Sequence, residues 1–156
     1  SIIERGIATM FKHVLIPTDG SALAESAVMA AREFAKDANA RVTLFTAMPT
    51  YPMPSRNQLL SGKYEHIEKY EERTLAKGSK MLERYAKQFR DAGVDAKCVA
   101  VLSDAPHEAI IKCAKKSGCD LIFMASHGRR GIAGLVLGSV TNKVLSHSKI
   151  PVMVYR

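Results

Sequence analysis

Apolar residues follow two rhythms along this chain, and the rhythms alternate. Short, nearly unbroken runs occupy Val14-Leu15-Ile16-Pro17, then Arg41-Val42-Thr43-Leu44-Phe45-Thr46-Ala47-Met48, then Val94 to Leu102, Leu121 to Ala125, and Ile150-Pro151-Val152-Met153-Val154-Tyr155. Such runs suit strands buried on both faces, and Pro151 is tolerated at a strand start or an edge. Between them the spacing turns helical. Ala22, Ala27, Ala30, Ala31, Phe34 and Ala35 form the small-residue face of a helix opened by Thr18-Asp19-Gly20-Ser21 and ended by Asp37 to Asn39. A long amphipathic helix is predicted from Tyr64 to Ala92, closed by Gly93, with Tyr70, Met81 and Tyr85 as core contacts. A third runs from Ala105 to Lys116 and ends near Gly118, and a fourth runs from Ser139 to His147 on Val140, Val144 and Leu145. Pro49, Pro52 and Pro54 stop the second strand, so Thr50 to Gly62 reads as the longest irregular stretch, of a kind that serves as a lid or partner surface. Five strands alternating with four helices predict an α/β fold, an open parallel sheet with helices on both faces.

In such sheets ligands sit outside the carboxyl ends of the strands, where strand order reverses. Three predicted loops gather there. The stretch Ala125 to Ser139, ASHGRRGIAGLVLGS, runs from a strand end into a helix start and combines spaced glycines, Arg129, Arg130 and a hydroxyl. Unpaired amides at a helix N-terminus, together with the positive end of its dipole, favour an anion. Gly138 would permit close approach, and Ser139 offers an N-cap oxygen and a donor hydroxyl. Neither a Walker loop nor a Gly-x-Gly-x-x-Gly fingerprint occurs. Gly128, Gly131, Gly134 and Gly138 read equally as turn and helix-entry glycines, with both arginines solvated. Asp19 in the first loop suits a ribose or a metal ion, backbone at Ala47 suits an adenine edge, and the glycine loop suits phosphates. Together they predict a split mononucleotide site. His127 beside Ser126 lacks the third member of a catalytic triad and reads as a loop-packing or phosphate-side residue.

Composition narrows the field. At 156 residues the chain suits one domain, and 47% apolar with 24% charged residues argues against disorder. Residues 1–9 show neither rhythm and read as an upstream extension, with the domain spanning 10–156. No run approaches a membrane span and no secretory segment is evident, so a cytoplasmic address is expected. Cys98, Cys113 and Cys119 make no Cys-x-x-Cys pair and suit reduced thiols, while the five histidines lack metal-ligand spacing. A net charge of +8 raises nucleic acid as a partner, yet the cations are dispersed and interleaved with acids between Lys63 and Arg90, so that reading is disfavoured.

Four segments carry a resemblance that covers the chain from Met10 to Arg156: Val14-Leu15-Ile16-Pro17-Thr18-Asp19-Gly20-Ser21, Pro106-His107-Glu108-Ala109-Ile110, Ser126-His127-Gly128, and Gly138-Ser139-Val140 followed by Ile150-Pro151-Val152. In these the sequence resembles the universal stress protein family. The resemblance implies a Rossmann-like, adenine nucleotide alpha hydrolase-like sheet with strand order 3-2-1-4-5. The family's nucleotide-binding members carry Gly, two residues, Gly, nine residues, then Gly-Ser or Gly-Thr. Gly128, Gly138 and Ser139 match, whereas Ala125 stands at the first glycine. Asp104, where many relatives have glycine, either caps the third helix or brings a carboxylate near the base or sugar.

Carried over by motif, Asp19 meets the ribose or a metal, Ala47 the adenine, and Gly128, Gly138, Ser139 and Val140 the phosphates. Pro17, Thr18, Met124, Ala125, His127 and Arg129 complete the implied nucleotide site. The implied ligand is ATP, or ADP, AMP or cyclic AMP, with Mg through Asp19. The implied assembly is a homodimer paired through Val152 to Tyr155. The resemblance thus implies an ATP-binding stress-response module that works through nucleotide-linked conformation and dimerisation. A nucleotide-independent interaction protein is the alternative, and a slow ATPase stands behind both.

Overall fold

The computed structural model describes residues 2, 6, 10–128, 134 and 136–156. Its sheet has five parallel strands, β1 (His13–Pro17), β2 (Arg41–Met48), β3 (Ala96–Leu102), β4 (Leu121–Ala125) and β5 (Val152–Tyr155), in the order β3-β2-β1-β4-β5. Helices α1 (Ala22–Ala38), α3 (Ile67–Asp91), α4 (Pro106–Ser117) and α5 (Ser139–His147) make the crossovers, and a short α2 (Arg56–Ser61) precedes α3. The α/β fold and the strand order therefore stand as expected. The third and fifth strands begin two residues later than their apolar runs, at Ala96 and Val152.

Local chemistry accounts for the helix ends. Ser21 caps α1 by accepting from the Ala24 amide at 3.3 Å, and Asn39 closes it in the left-handed region at φ 52°. Gly118 closes α4 in the same way at φ 70°. The stretch from Thr50 to Gly62 is less irregular than its prolines suggest. A capping box between Ser55 and Gln58 nucleates α2, although none of that helix's residues is buried.

The two faces of the sheet carry separate cores. On one, α1 and α3 cover Val14, Ile16, Val42, Leu44, Leu121 and Phe123 with a small-residue surface from α1 and with Leu82, Tyr85 and Phe89 from α3. On the other, α4 and α5 cover Leu15, Phe45, Ile122 and Met124 with Ile110, Ala114 and Val144. Tyr85 and Met81 contact the first core as expected, whereas Tyr70 does not. Its ring meets Tyr51 edge-on at 5.4 Å and its hydroxyl donates to the Pro49 carbonyl, so it braces the loop before α2.

At the amino rim, Asp120 locks β1 beside β4. Its carboxylate accepts from the Lys12 and His13 amides at 2.8 and 3.0 Å, and its own amide donates to the His13 carbonyl. His13 is buried, with Nε2 2.8 Å from Thr43 Oγ1. Because α1 leaves β1 toward one face and α5 leaves β4 toward the other, a crevice opens between these two strands at the opposite rim.

Candidate functional site

The crevice is built from three turns that lie far apart in sequence. After β1, the Thr18 amide donates to the Phe45 carbonyl at 2.9 Å, which ties the turn to β2. Thr18 Oγ1 accepts from the Gly20 amide and Asp19 Oδ1 from the Ser21 amide, at 3.2 and 2.9 Å, folding the turn back into α1. After β4, Ser126 is buried and its amide donates to the Tyr155 carbonyl. Its carbonyl accepts from the Gly138 amide at 2.7 Å, so the glycine loop closes on itself before α5 begins. Thr141, one turn into α5, donates to the Ala125 carbonyl at 2.8 Å and pins that helix to the end of β4.

Two glycines are required by contacts within the chain. A Cβ on Gly128 would overlap Asp19 Oδ2, so glycine here lets the first turn touch the loop after β4. Gly138 has extended backbone, φ −71° and ψ 163°, which any residue adopts, but a Cβ there would lie 3.0 Å from both Cα and Cβ of His127. Gly138 thus makes a close approach to its own loop. Gly138 is also the N-cap of α5, and no side chain caps that helix. Ser139 is its first helical residue and not its cap, which corrects the N-cap role expected for its oxygen. Among the described residues, the amides of Ser139, Val140 and Thr141 have no acceptor, as the first turn of a helix leaves them.

The resulting cleft encloses about 690 Å³ of empty space, part of it open to solvent. Pro17, Thr18 and Asp19 line one side, Met124, Ala125, His127 and Gly128 the other, with Ala47 and Val140 between. Gly138 and Ser139 flank the cleft without lining it, and Arg129 and Gly131 lie outside the described residues. Ala24, Phe45, Pro106, Ile110 and Thr141 also line it and were not anticipated. Pro106 and Ile110 fall in a segment noted for its family resemblance, and that was the available signal. Thr141 had none beyond its place two residues past Ser139. Ala125 packs in the α1/α3 core with Leu121 and Phe123 as well as facing the cleft, and the hollow persists with alanine there.

Asp104 neither caps α4 nor lines the cleft. Ala105 is the N-cap, without a side-chain bond, and Asp104 instead accepts from the Thr50 hydroxyl and, at 3.1 Å, from the Thr50 amide. Those bonds, the hydroxyl first, hold its carboxyl below the usual range and fasten the loop after β2 to the loop after β3.

Ser126 Oγ lies 3.1 Å from His127 Nδ1, but Ser126 does not reach the cleft, so the pair presents no nucleophile there. Among the described residues no three His, Cys, Asp or Glu side chains gather as a metal-ligand set. The three cysteines are free, and burial raises the thiols of Cys98 and Cys119 to about 11. No described helix is long and apolar enough to cross a membrane.

Known proteins share both this sequence pattern and this architecture. Universal stress protein MJ0577 of Methanocaldococcus jannaschii is 30% identical over 96% of this chain and 98% of its own length. A solved structure of MJ0577 superposes with a TM-score of 0.77, covering 93% of this chain and 95% of that one. A universal stress protein solved with cAMP has a TM-score of 0.63 at 23% identity over 94% of this chain and 97% of its own. One from Archaeoglobus fulgidus solved with dAMP has 0.58 at 18% over 93% and 97%. The last two comparisons speak to fold alone. With the universal stress protein family matching residues 10–156, and with the strand order, the switch-point crevice and a near full-length relative in agreement, the chain belongs to the universal stress protein family.

Proposed function

We propose that the crevice between β1 and β4 binds an adenine nucleotide, with ATP first in order and ADP, AMP and cyclic AMP as alternatives. In this reading nucleotide occupancy adjusts a stress-response module whose output is conformational. The observation that carries it is the meeting of three distant turns around one hollow, beside the unpartnered amides of α5. Ala47 with Phe45, Pro106 and Ile110 offers an apolar slot for a base, while Thr18 and Asp19 offer polar groups for a ribose. In this proposal Gly128, His127, Val140 and the α5 amides face the phosphates, flanked by Gly138 and Ser139, and Arg129, outside the described residues, is a further phosphate-binding candidate. Mg rides with the nucleotide, held from the protein side by Asp19. Universal stress proteins of this fold have been solved with cAMP and with dAMP, so the fold accommodates that ligand class. In the same proposal two chains pair through Val152–Tyr155, the edge strand of the sheet, whose open ladder a second copy would complete.

Isothermal titration of the purified chain with ATP, ADP, AMP and cyclic AMP, with and without Mg, tests the ligand, and the absence of saturation with all four would sink it. Native mass spectrometry tests the dimer in the same sample.

A second reading, a nucleotide-independent interaction protein, is favoured by one observation. The segment around α2 exposes Met53, Leu59 and Leu60, with Leu60 at 77%. Thermal shift separates the two readings, because a ligand at 100 times its Kd adds about 2.7 kcal/mol of stability. An ATP-dependent shift abolished by Gly138→Val supports the nucleotide reading, and no shift favours the apolar arm.

A further inference from the structure

The charges on the two helical layers are managed differently. On α3 the cations are interleaved with acids: Arg73 pairs with Glu65 at 2.8 Å, Lys87 with Asp91 at 2.9 Å and Arg90 with Glu83, while Lys69, Lys77, Lys80 and Arg84 share the helix with Glu68, Glu71 and Glu72. On the opposite layer an open groove lies along α4 and the end of α5, bordered by His107, Ile111, Lys112, Lys115, Lys116 and His147. Among the described residues none of its three lysines forms an ion pair. The groove's one carboxylate is Glu108, 76% exposed and 3.8 Å from His107 Nε2. The chain has no Asp or Glu from Leu121 to Arg156, so α5 supplies no counter-charge. Lys112, Lys115 and Lys116, at i, i+3 and i+4 on one helix, meet His107 and His147 here.

We propose that the α4–α5 groove docks an acidic, partly apolar peptide segment of a partner protein. Its floor and walls suit such a segment: Ile111 is half-buried, and the His107 and His147 rings stand 5.9 Å apart at 47°, beneath a rim of flexible ammonium groups. Phosphate-rich partners find less. Lys115 and Lys116 lie in the last turn of α4 and His147 in the last turn of α5, so the lysines stand beside helix carbonyl ends, and where the first turn of α4 borders the groove Glu108 brings a carboxylate. Among the described residues its lining holds no arginine for bidentate phosphate contact and no Phe, Tyr or Trp for base stacking. Separate lysine ammoniums act as point charges, which match a row of carboxylates.

Fluorescence anisotropy of the full chain at low ionic strength tests the site. One probe is a labelled short peptide of alternating Glu and Leu pairs, and the other a labelled single-stranded oligothymidylate of equal charge. The peptide is expected to bind saturably and more tightly than the oligonucleotide. The triple variant Lys112→Glu, Lys115→Glu, Lys116→Glu is expected to raise the peptide Kd at least about tenfold, and a Lys69→Glu, Lys77→Glu, Lys80→Glu variant on α3 less than about threefold. Since charge reversal in the last turn of α4 opposes that helix's dipole, the corresponding Lys→Gln triple is measured beside it and is expected to weaken binding in the same direction. Equal loss in the α3 and α4 variants would reduce the effect to net charge and overturn the site. Tighter binding of the oligonucleotide would replace the peptide by nucleic acid, and saturation by neither probe would remove the proposal.

Discussion

The two rims of the same pair of strands, β1 and β4, use similar polar residues to opposite ends. At the amino rim the Asp120 carboxylate is spent on two backbone amides and His13 Nε2 meets Thr43 Oγ1, with His13 Nδ1 buried without a partner, and the strands close tightly. At the carboxyl rim Thr18, Asp19, Ser126 and Thr141 are bonded too, but the two turns meet only where Asp19 approaches Gly128 among the described residues, and a hollow is left beside that approach. The difference comes from chain direction. Chain leaving the carboxyl ends must climb to opposite faces, whereas chain arriving at the amino ends has no such divergence. Polar residues consumed among themselves hold register, and polar residues around a hollow retain capacity for a ligand.

The sharpest way to break this contrast is Gly138→Val. Its extended backbone tolerates valine, so only the 3.0 Å approach to His127 is at stake, and overpacking there is expected to cost about 1–3 kcal/mol and to abolish nucleotide binding. Calorimetry and thermal denaturation read both effects, and retained affinity would show that the loop shape is not needed. Next in size, Asp120→Ala strands two amides at the amino rim and is expected to lose about 2 kcal/mol of stability while leaving nucleotide affinity unchanged at temperatures where the protein is folded. A matching loss of affinity would mean that the rims are coupled.

Asp19→Asn should do the reverse. The amide oxygen can still accept from the Ser21 amide, so that bond is kept, while the lost charge lowers ATP affinity about tenfold in the presence of Mg and little in its absence. Titrations in Mg and in EDTA distinguish these. The smallest effect belongs to His13, where burial first and the charge of Arg41 next hold the pKa below 6.5. The unfolded chain then binds the extra proton more readily. Stability from the neutral ring is therefore complete above pH 6.5 and is lost as pH falls below it through the folded-state pKa. Denaturant titrations across that window should show a dependence that His13→Gln flattens, and an unchanged profile would place the acid sensitivity elsewhere.

Much of the fold was written locally. Runs such as Val14-Leu15-Ile16 and Leu121 to Ala125 define strands because their neighbours in sequence are their neighbours along the strand, and Ser21 and Gly118 end helices through bonds that span a few residues. The carboxyl-end loops were foreseeable for the same reason, since alternation of strands and helices dictates which turns share a rim. The capping of α2 by Ser55 and Gln58 was equally local, but the surrounding prolines masked it.

What the sequence left open depends on pairs that only packing brings together. Asp104 looks like a helix cap beside Ala105, yet it spends its carboxylate on Thr50, fifty-four positions away. Gly128 and Gly138 read as turn residues or phosphate contacts, whereas their missing side chains make room for Asp19 and His127. Lys112, Lys115 and Lys116 share one face of α4 by their spacing alone, but they border a groove only when the end of α5, without a carboxylate of its own, is laid beside them. Local periodicity and capping are set by near neighbours and survive in one dimension. Close approach and charge convergence are set by helices crossing a sheet, and exist only once the chain has folded.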